Sequence, residues 1–232
     1  MGAAPSGQSE GASLAAATAK VRSHRFEGHS LRLGELALVL ARPKRVWYAA
    51  MGRKTVHFKC VHCGHCCRDV VALPTPWDVV RIVRETGADP YKFLEFLSPD
   101  EVLDVEKSDP TWLKCGGTRY IMALRRGKKG CYFLSKKNLH CTIYDVRPIL
   151  CRLYPFKLHE TRAGKFKGFT LHKDVECPRK RDGVVETKPL YDLYLEDDRH
   201  QEDYARLVKY FNRQKDKKKK PRHFIKLFYE RC

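Results

Sequence analysis

The chain has no apolar run long enough to cross a bilayer. Its best candidate, residues 36–41, is far shorter than the about 20 residues that a spanning helix requires. The N-terminal residues are small and polar as far as Lys20, with no apolar segment of the kind a secretory signal contains, so we expect no signal peptide. We therefore expect a cytoplasmic protein. In that reducing compartment, clustered cysteines indicate metal or redox chemistry rather than disulfides.

Acidic residues are scarce relative to basic ones. The 232 residues include 46 lysines and arginines but only 27 aspartates and glutamates, and the net charge of +19 is spread along the chain. Between Pro110 and Tyr144 there are eight basic residues and no acid, with Tyr120, Tyr132 and Phe133 among them. Such a stretch can bind nucleic acid. Because charge alone is non-specific, we favour solvated turn residues that also balance a cluster of thiolates.

The chain is rich in cysteine, with ten in all, and four of these form the run Cys60-x-x-Cys63-x-x-Cys66-Cys67. Two intervening residues let a tight turn bring two sulfurs to one ion. Three such thiolates match an iron–sulfur loop that a remote cysteine completes, or one side of a zinc site. Because adjacent side chains usually diverge, we expect Cys67 to serve a second site or to pack behind the first.

Four later cysteines can complete the site: Cys131, Cys141, Cys151 and Cys177. Four plus four ligands suit two tetrahedral ions, and three plus one suit a single cubane cluster. Cys115 and Cys232 fit no usable spacing and are interpreted as small buried hydrophobes. Since thiolates are already plentiful, the nearby histidines are interpreted as solvated loop residues. They are His57, His62, His65 and His140.

Helix-capping signals recur after the cysteine run. Thr75-Pro76-Trp77-Asp78 combines a threonine cap, a proline in the first turn and an acid at the third position, and Gly87 closes the segment. Asp89-Pro90 is predicted to start a second helix that reaches Leu97, and Ser98-Pro99-Asp100-Glu101 a third.

Strand signals follow. Residues 119–124 and 131–134 are predicted to pair as a β-hairpin, and residues 139–144 to add a third short strand. A capped helix is predicted from Asp145, with Cys151 about one turn in.

These elements predict an α+β fold, with a small irregular cysteine-rich domain followed by a helical extension. Residues 166–172 are a further predicted strand, and residues 189–213 and 223–229 are predicted helices. The predicted division is a disordered tail (1–30), an N-terminal extension (31–55), a metal-binding domain (56–180) and a basic helical extension (181–232).

Three separated blocks resemble one known family. The first is Phe58-x-Cys60-x-x-Cys63-Gly64-x-Cys66-Cys67, and the second is Cys131-x-Phe133-Leu134. The third is Cys141-x-Ile143-Tyr144-x-x-Arg147-Pro148-x-x-Cys151-Arg152-x-Tyr154-Pro155-Phe156. In this order they resemble the CxxCxxCC cysteine-cluster family, named for chelation of zinc or iron, to which the YkgJ-like proteins belong. The resemblance covers about residues 56–180.

The resemblance implies eight metal-ligand cysteines. Mapped onto this chain they are Cys60, Cys63, Cys66, Cys67, Cys131, Cys141, Cys151 and Cys177. The flagellin lysine N-methylases share this domain and carry an iron–sulfur centre, so the resemblance also implies a methyltransferase as an alternative. Against that activity, the chain has no glycine-rich strand–turn–helix pattern that would bind S-adenosylmethionine.

Two interpretations are open for three residues of the third block, Arg147, Arg152 and Tyr154. The guanidinium of Arg147 or Arg152 would offset the negative charge of a thiolate cluster and donate to sulfur. Alternatively these residues, with Tyr154 and the prolines, only shape the chain around Cys151.

We therefore expect a metal-binding protein that holds a 4Fe–4S cluster, or zinc, in a structural or redox role. The alternatives are a methyltransferase and a zinc-stabilised nucleic-acid-binding module. No residue is assigned a catalytic role, and a protein partner is expected but not identified.

Overall fold

The computed structural model describes residues 54–103, 105–173, 177–178, 180–216 and 218–229. The predicted tail (1–30), almost all of the predicted N-terminal extension (31–55) and Cys232 lie outside the described residues. Within them the fold is α+β, as predicted, with six α-helices and nine strands in four small antiparallel sheets. No helix in these ranges combines the length and the apolar character of a membrane span.

Most of the helices and strands are short, and α5 is the longest. The helices are α1 (His65–Asp69), α2 (Pro76–Thr86), α3 (Pro90–Phe93), α4 (Ile149–Leu153), α5 (Thr187–Arg213) and α6 (His223–Tyr229). The strands are β1 (Thr55–Lys59), β2 (Leu94–Leu97), β3 (Leu113–Cys115), β4 (Thr118–Leu124), β5 (Arg126–Gly127), β6 (Gly130–Cys131), β7 (Phe156–Glu160), β8 (Phe166–Leu171) and β9 (Lys180–Glu186). The sheets are β1–β9, β2–β4–β3, β5–β6 and β7–β8.

Helix α2 forms as its sequence predicts. The Thr75 hydroxyl accepts from the backbone N–H of Asp78 at 3.2 Å, and the Asp78 carboxylate accepts from the N–H of Thr75 at 2.9 Å. This reciprocal capping box satisfies backbone donors that the first turn leaves unpaired. Gly87 adopts a left-handed conformation (φ 67°) and ends the helix.

The predictions of two helices after α2 are largely wrong. Helix α3 ends at Phe93, and the following residues form β2, which pairs with β4. Pairing with another apolar strand buries the backbone of this segment better than a helical extension would, so tertiary contacts override the local signal. At Ser98 the N–H and hydroxyl both donate to the Glu101 carboxylate at 2.8 Å, but the described residues that follow form only turns.

The predicted hairpin is also rearranged. Strand β4 confirms the strand at residues 119–124, but it pairs with β2 and β3 and not with residues 131–134. The basic turn instead closes the two-residue strands β5 and β6. The predicted strands at residues 131–134 and 139–144 are reduced to β6 and one bridge between Leu134 and Cys141.

Three hydrophobic clusters hold the described elements together, and α5 contributes to the two larger ones. Its C-terminal half packs Tyr204, Val208 and Phe211 against α2, α6 and the three-stranded sheet. Its N-terminal end packs Leu190 and Tyr191 against β1, α4 and the β7–β8 pair. The strand predicted at residues 166–172 and the helices predicted at 189–213 and 223–229 are confirmed.

Strand β9 crosses the predicted boundary between residues 180 and 181. It pairs with β1, the strand that leads into the cysteine run. The cysteine-bearing part and the C-terminal extension therefore share a sheet. The division of the chain into four parts stays a prediction.

A buried carboxylate on α5 makes the stability of the fold depend on pH. Asp197 is 4% exposed, and burial raises its pKa to about 7, helped by the nearby Asp78 carboxylate. The folded chain holds this proton more tightly than the unfolded chain, so Asp197 destabilises the fold as pH rises from about 4 to about 7.

We expect Asp197→Asn to raise the free energy of unfolding by about 2–4 kcal/mol at about pH 8, because the uncharged amide avoids the cost of burying an anion. The gain should vanish below about pH 4, where aspartate is protonated in both states. Urea unfolding of both proteins across this pH range is the measurement. A gain that does not depend on pH would contradict a role for the buried charge.

Candidate metal centre

One cavity of about 100 Å³ is lined by eight cysteines that come from separate parts of the chain. They are Cys60, Cys63, Cys66, Cys67, Cys131, Cys141, Cys151 and Cys177. These are the eight cysteines that the sequence selects. The described cysteines, including Cys115, are all free thiols. Cys115 is buried in the core beside β4 and does not line the cavity, in agreement with its interpretation as a small hydrophobe.

The first block reaches the cavity through a tight turn between β1 and α1. The N–H of His62 donates to the Cys60 sulfur at 3.4 Å. Gly64 then adopts a left-handed conformation (φ 69°), and its carbonyl accepts from the N–H groups of Cys67 and Arg68 at 3.0 Å. This turn starts α1, which carries Cys66 and Cys67.

Replacing Gly64 by alanine is expected to lower the free energy of unfolding by about 2–4 kcal/mol, from left-handed strain plus overpacking. A Cβ there would collide with the carbonyl oxygen of Leu139. Gly87→Ala is the matched control, because its φ is 67° and a Cβ there meets nothing within 4 Å. It should cost only about 1–2 kcal/mol. Equal losses in urea unfolding would show that the Leu139 contact does not matter.

The second block packs against the first through a glycine and an arginine. Gly130 lies so close to α1 that a Cβ would come within 2.6 Å of the Cys67 carbonyl oxygen, which places the next residue, Cys131, beside α1. The Arg126 guanidinium donates to the carbonyl oxygens of Cys67, Arg68 and Val70 at the end of α1. These carbonyls are the acceptors that a helix leaves unpaired at its C-terminus.

The third block is fixed by a residue that lies far from it in sequence. The sequence predicts a helix capped by Asp145, but residues Tyr144–Val146 form only a 3₁₀ turn and α4 begins after Pro148. The backbone N–H of Ile149 donates instead to Asp78 of α2 at 3.1 Å. The position of Cys151 thus depends on a buried carboxylate 71 residues away in sequence from Ile149. From the sequence, Asp78 is predicted only as the cap of its own helix.

Three thiols, Cys66, Cys67 and Cys141, form a hydrogen-bonded trio on the cavity wall. Hydrogen bonding by Cys67 lowers the pKa of Cys66 and of Cys141 to about 7, and the Arg147 guanidinium lowers both further. The same hydrogen bonds raise the pKa of Cys67, which keeps its proton. The adjacent side chains of Cys66 and Cys67, which the sequence predicts to diverge, are therefore in contact.

The remaining thiols are linked electrostatically to this trio. Burial raises the pKa of Cys131 and of Cys151, and the charge of Cys66 adds to both shifts. Burial also raises the pKa of Cys177 to about 11, with contributions from Cys63 and Cys66. Cys66 thus influences thiols from every other block, including Cys177, whose assignment by sequence has no tight spacing to support it.

The histidines contribute little to the cavity wall. His62 alone among the four singled out by the sequence lines it, beside the Tyr144 ring at 4.4 Å between ring centroids. His57 and His140 are exposed, and His65 is paired with Asp69 at 3.0 Å. Only His62 and His140 lie in loops, as the sequence predicts for all four, because His57 belongs to β1 and His65 to α1. That none of the four is a ligand stays a prediction.

The arginines of the basic stretch donate to backbone carbonyls, whereas its turn lysines are exposed. Arg119 donates to the Lys107 carbonyl, Arg125 to that of Leu94, and Arg126 to the end of α1. The lysines at positions 128, 129, 136 and 137 are exposed on turns. All three arginines are therefore hydrogen-bonded to the fold, and whether this stretch binds nucleic acid stays untested.

The donor set suits a metal that favours sulfur. Eight thiols and two arginines line a cavity whose other walls are mainly apolar. Thiolates are the ligands of structural zinc and of iron–sulfur clusters. In the described ranges no three cysteine, histidine or acidic side chains are arranged so that they could hold a metal ion. The sulfurs share one cavity without converging on a point.

Comparison with known proteins agrees with these observations. A family model named CxxCxxCC and described as "Putative zinc- or iron-chelating domain" matches residues 59–178, just over half of the chain. The uncharacterized protein MJ0661 of Methanocaldococcus jannaschii is 30% identical over 149 residues, or 64% of this chain. The chain spans 65% of that relative's length. No solved structure matches. The chain belongs to the CxxCxxCC family, and metal binding is the property by which that family is described.

Proposed function

We propose that this protein holds a 4Fe–4S cluster through its cavity cysteines, in a structural or redox role. The observation that carries the proposal is the convergence of eight cysteines, from four separate parts of the chain, on one cavity. Cysteines that act only as small buried hydrophobes are scattered through a core. Chance alone would rarely bring cysteines dispersed over more than 100 residues to one cavity.

The size of the cavity favours a cluster over a single zinc ion. A structural zinc ion and a 4Fe–4S cluster each take four protein ligands, so the eight thiols that line this cavity do not by themselves distinguish the two. A volume of about 100 Å³ exceeds the about 10–15 Å³ that one water-sized body occupies by the same measure. All eight thiols line the same cavity, which supports one continuous centre rather than two distant ones.

The chain would supply ligands, enclosure and charge to such a centre. A bound cluster would contribute one-electron transfer or simply cross-link the four blocks. Phe58, Phe133 and Phe156 form part of an apolar wall that restricts the access of water to the sulfurs. Solvent exposure and charge are what a protein uses to set the potential of such a group.

The test is to purify the full chain without oxygen from a host supplied with iron, and to measure iron, zinc and acid-labile sulfide per chain. We expect a brown protein with a broad visible absorption band that bleaches with dithionite, and about four irons and four sulfides per chain. A colourless protein with stoichiometric zinc would show that the centre holds zinc and not a cluster. A chain with neither metal would refute metal binding by this cavity.

A further inference from the structure

Arg147 is the cation that faces the cavity with hydrogen-bonding capacity to spare. It lines the cavity together with Cys66 and Cys141. Its Nε is buried and has no hydrogen-bond partner among the described residues. A buried N–H without an acceptor is costly, so a donor left in this position indicates an acceptor that belongs in the cavity.

The side chain and the backbone of Arg147 are both held in place. The guanidinium carbon lies 3.8 Å from the centroid of the Tyr144 ring, a cation–π contact. The backbone carbonyl of Arg147 accepts from Arg81 at 3.0 Å, and Arg81 is in turn fixed by Asp78 at 2.6 Å. The guanidinium is therefore positioned before any ligand binds, which limits the entropy that its interactions cost.

Two other arginines near the cavity do not share these properties. The guanidinium of Arg126 already donates hydrogen bonds to the carbonyl oxygens at the end of α1. Arg152 also lines the cavity but is exposed to solvent, where a charge is screened and contributes little. Arg147 is thus distinguished by its position and by its free donor, not by charge alone.

A thiolate-bound centre needs such a charge. Four thiolates carry four negative charges, and one divalent ion or one doubly charged cluster offsets only part of them. Burying the remaining negative charge is unfavourable unless a cation or hydrogen-bond donors compensate it. A guanidinium stays protonated at all relevant pH values and presents donors in a fixed plane.

We propose that Arg147 is the counter-charge of the metal centre and that its guanidinium determines how tightly the thiolates retain their metal. The inference rests on the proposed function of the same cavity. In this role Arg147 is a positioning residue: it acts on the sulfur ligands, and through them on the metal.

The experiment compares metal retention in the purified full chain after a timed challenge with EDTA. Arg147→Gln is expected to lose its metal at least about tenfold faster than wild type, the size of effect typical for a lost outer partner of a metal ligand. Arg147→Lys keeps the charge and should stay within about threefold of wild type. Arg119→Gln removes an equal charge from outside the cavity, and should behave as wild type.

Two results would overturn the proposal while leaving metal binding intact. One is a metal-loaded Arg147→Gln that retains metal like wild type. The other is an Arg147→Lys that loses metal as fast as Arg147→Gln, because the shape of the side chain and not its charge would then matter. A wild-type chain that binds neither iron nor zinc would overturn the proposed function and this inference together.

If Arg147→Gln does not fold, a second variant tests whether the guanidinium of Arg147 controls metal retention. Tyr144→Leu removes the ring beneath the guanidinium but leaves every charge in place. We expect at least about threefold faster metal loss, since the cation–π contact no longer holds the guanidinium at the cavity. Tyr132→Leu, at a tyrosine that is 48% exposed, is the matched control. Unchanged retention in Tyr144→Leu would overturn the proposal.

Discussion

Replacing Cys66 by serine is expected to reduce the metal content of the purified chain by more than about tenfold, a loss at least as large as that caused by removing an outer partner of a ligand. Cys66 is the thiol that hydrogen-bonds with Cys67 and whose charge influences Cys131, Cys151 and Cys177. Losing it would therefore disturb the ligand set at its centre. Cys63→Ser is expected to act in the same direction.

The same substitution should make the chain sensitive to protease. Binding free energy of a structural metal is also folding free energy, because the unfolded chain has no preformed site. The four blocks around the cavity would lose their common cross-link, and limited proteolysis should then cut between them. Metal analysis and proteolysis of the same preparations check both halves of the prediction.

Cys115→Ala is the matched control for the loss of a cysteine. Cys115 is 6% exposed and packs in the hydrophobic core rather than at the cavity. Its truncation should cost about 1 kcal/mol through packing and leave the metal content unchanged. Equal metal loss in Cys115→Ala and Cys66→Ser would point to general unfolding, and unchanged metal in Cys66→Ser would remove Cys66 from the ligand set.

The sequence is most informative where the signal is local. The cysteine run and the capping box at Thr75 each lie within a few residues, and the physical rule behind each concerns neighbouring atoms. The later cysteines are selected by resemblance, and the structure brings them to the same cavity. The amphipathic pattern of α5 is also sufficient, because a long helix repeats its apolar face several times.

The errors occur where distant contacts decide the outcome. Residues 94–97 form a strand because β4 lies beside them. No residue close to Leu94 in the sequence indicates that this pairing will occur. Helix α4 starts where Asp78 can accept a hydrogen bond from the N–H of Ile149. It does not start at Asp145, although that residue is nearer in sequence. The sequence predicts Arg126 in a solvated turn, although its donors close the end of α1. In each case the deciding partner is more than 20 residues away in sequence.

Two similar motifs show why local signals need a tertiary partner. Thr75-Pro76-Trp77-Asp78 and Ser98-Pro99-Asp100-Glu101 both place an acid three residues after a hydroxyl cap, and in both the acid accepts from the backbone N–H and the hydroxyl of the cap residue. Only the first continues as a helix, with Val79 and Ile82 fully buried on its apolar face. A short helix in water is marginal without such burial, so the second motif remains a turn.

Asp78→Ala is expected to lower the free energy of unfolding by about 3–5 kcal/mol, the range for breaking a buried ion pair by removing one partner. The carboxylate is fully buried and accepts hydrogen bonds from the N–H and hydroxyl of Thr75, from Arg81 and from the N–H of Ile149. Its loss would leave these donors and the Arg81 charge unpaired. Because Asp78 also fixes Arg81, which holds the Arg147 carbonyl, the variant should lose metal faster as well.

Glu101→Ala is the matched control, since it removes the equivalent carboxylate from the exposed motif. It should change stability by no more than about 0.5 kcal/mol, as surface substitutions usually do. Urea unfolding of the two variants beside wild type measures the difference. Similar, small losses in both would show that the buried carboxylate of Asp78 does not couple α2 to α4. A large loss confined to Asp78→Ala would mean that the third cysteine block, and with it the geometry of the cavity, depends on one acid in a helix that carries no cysteine.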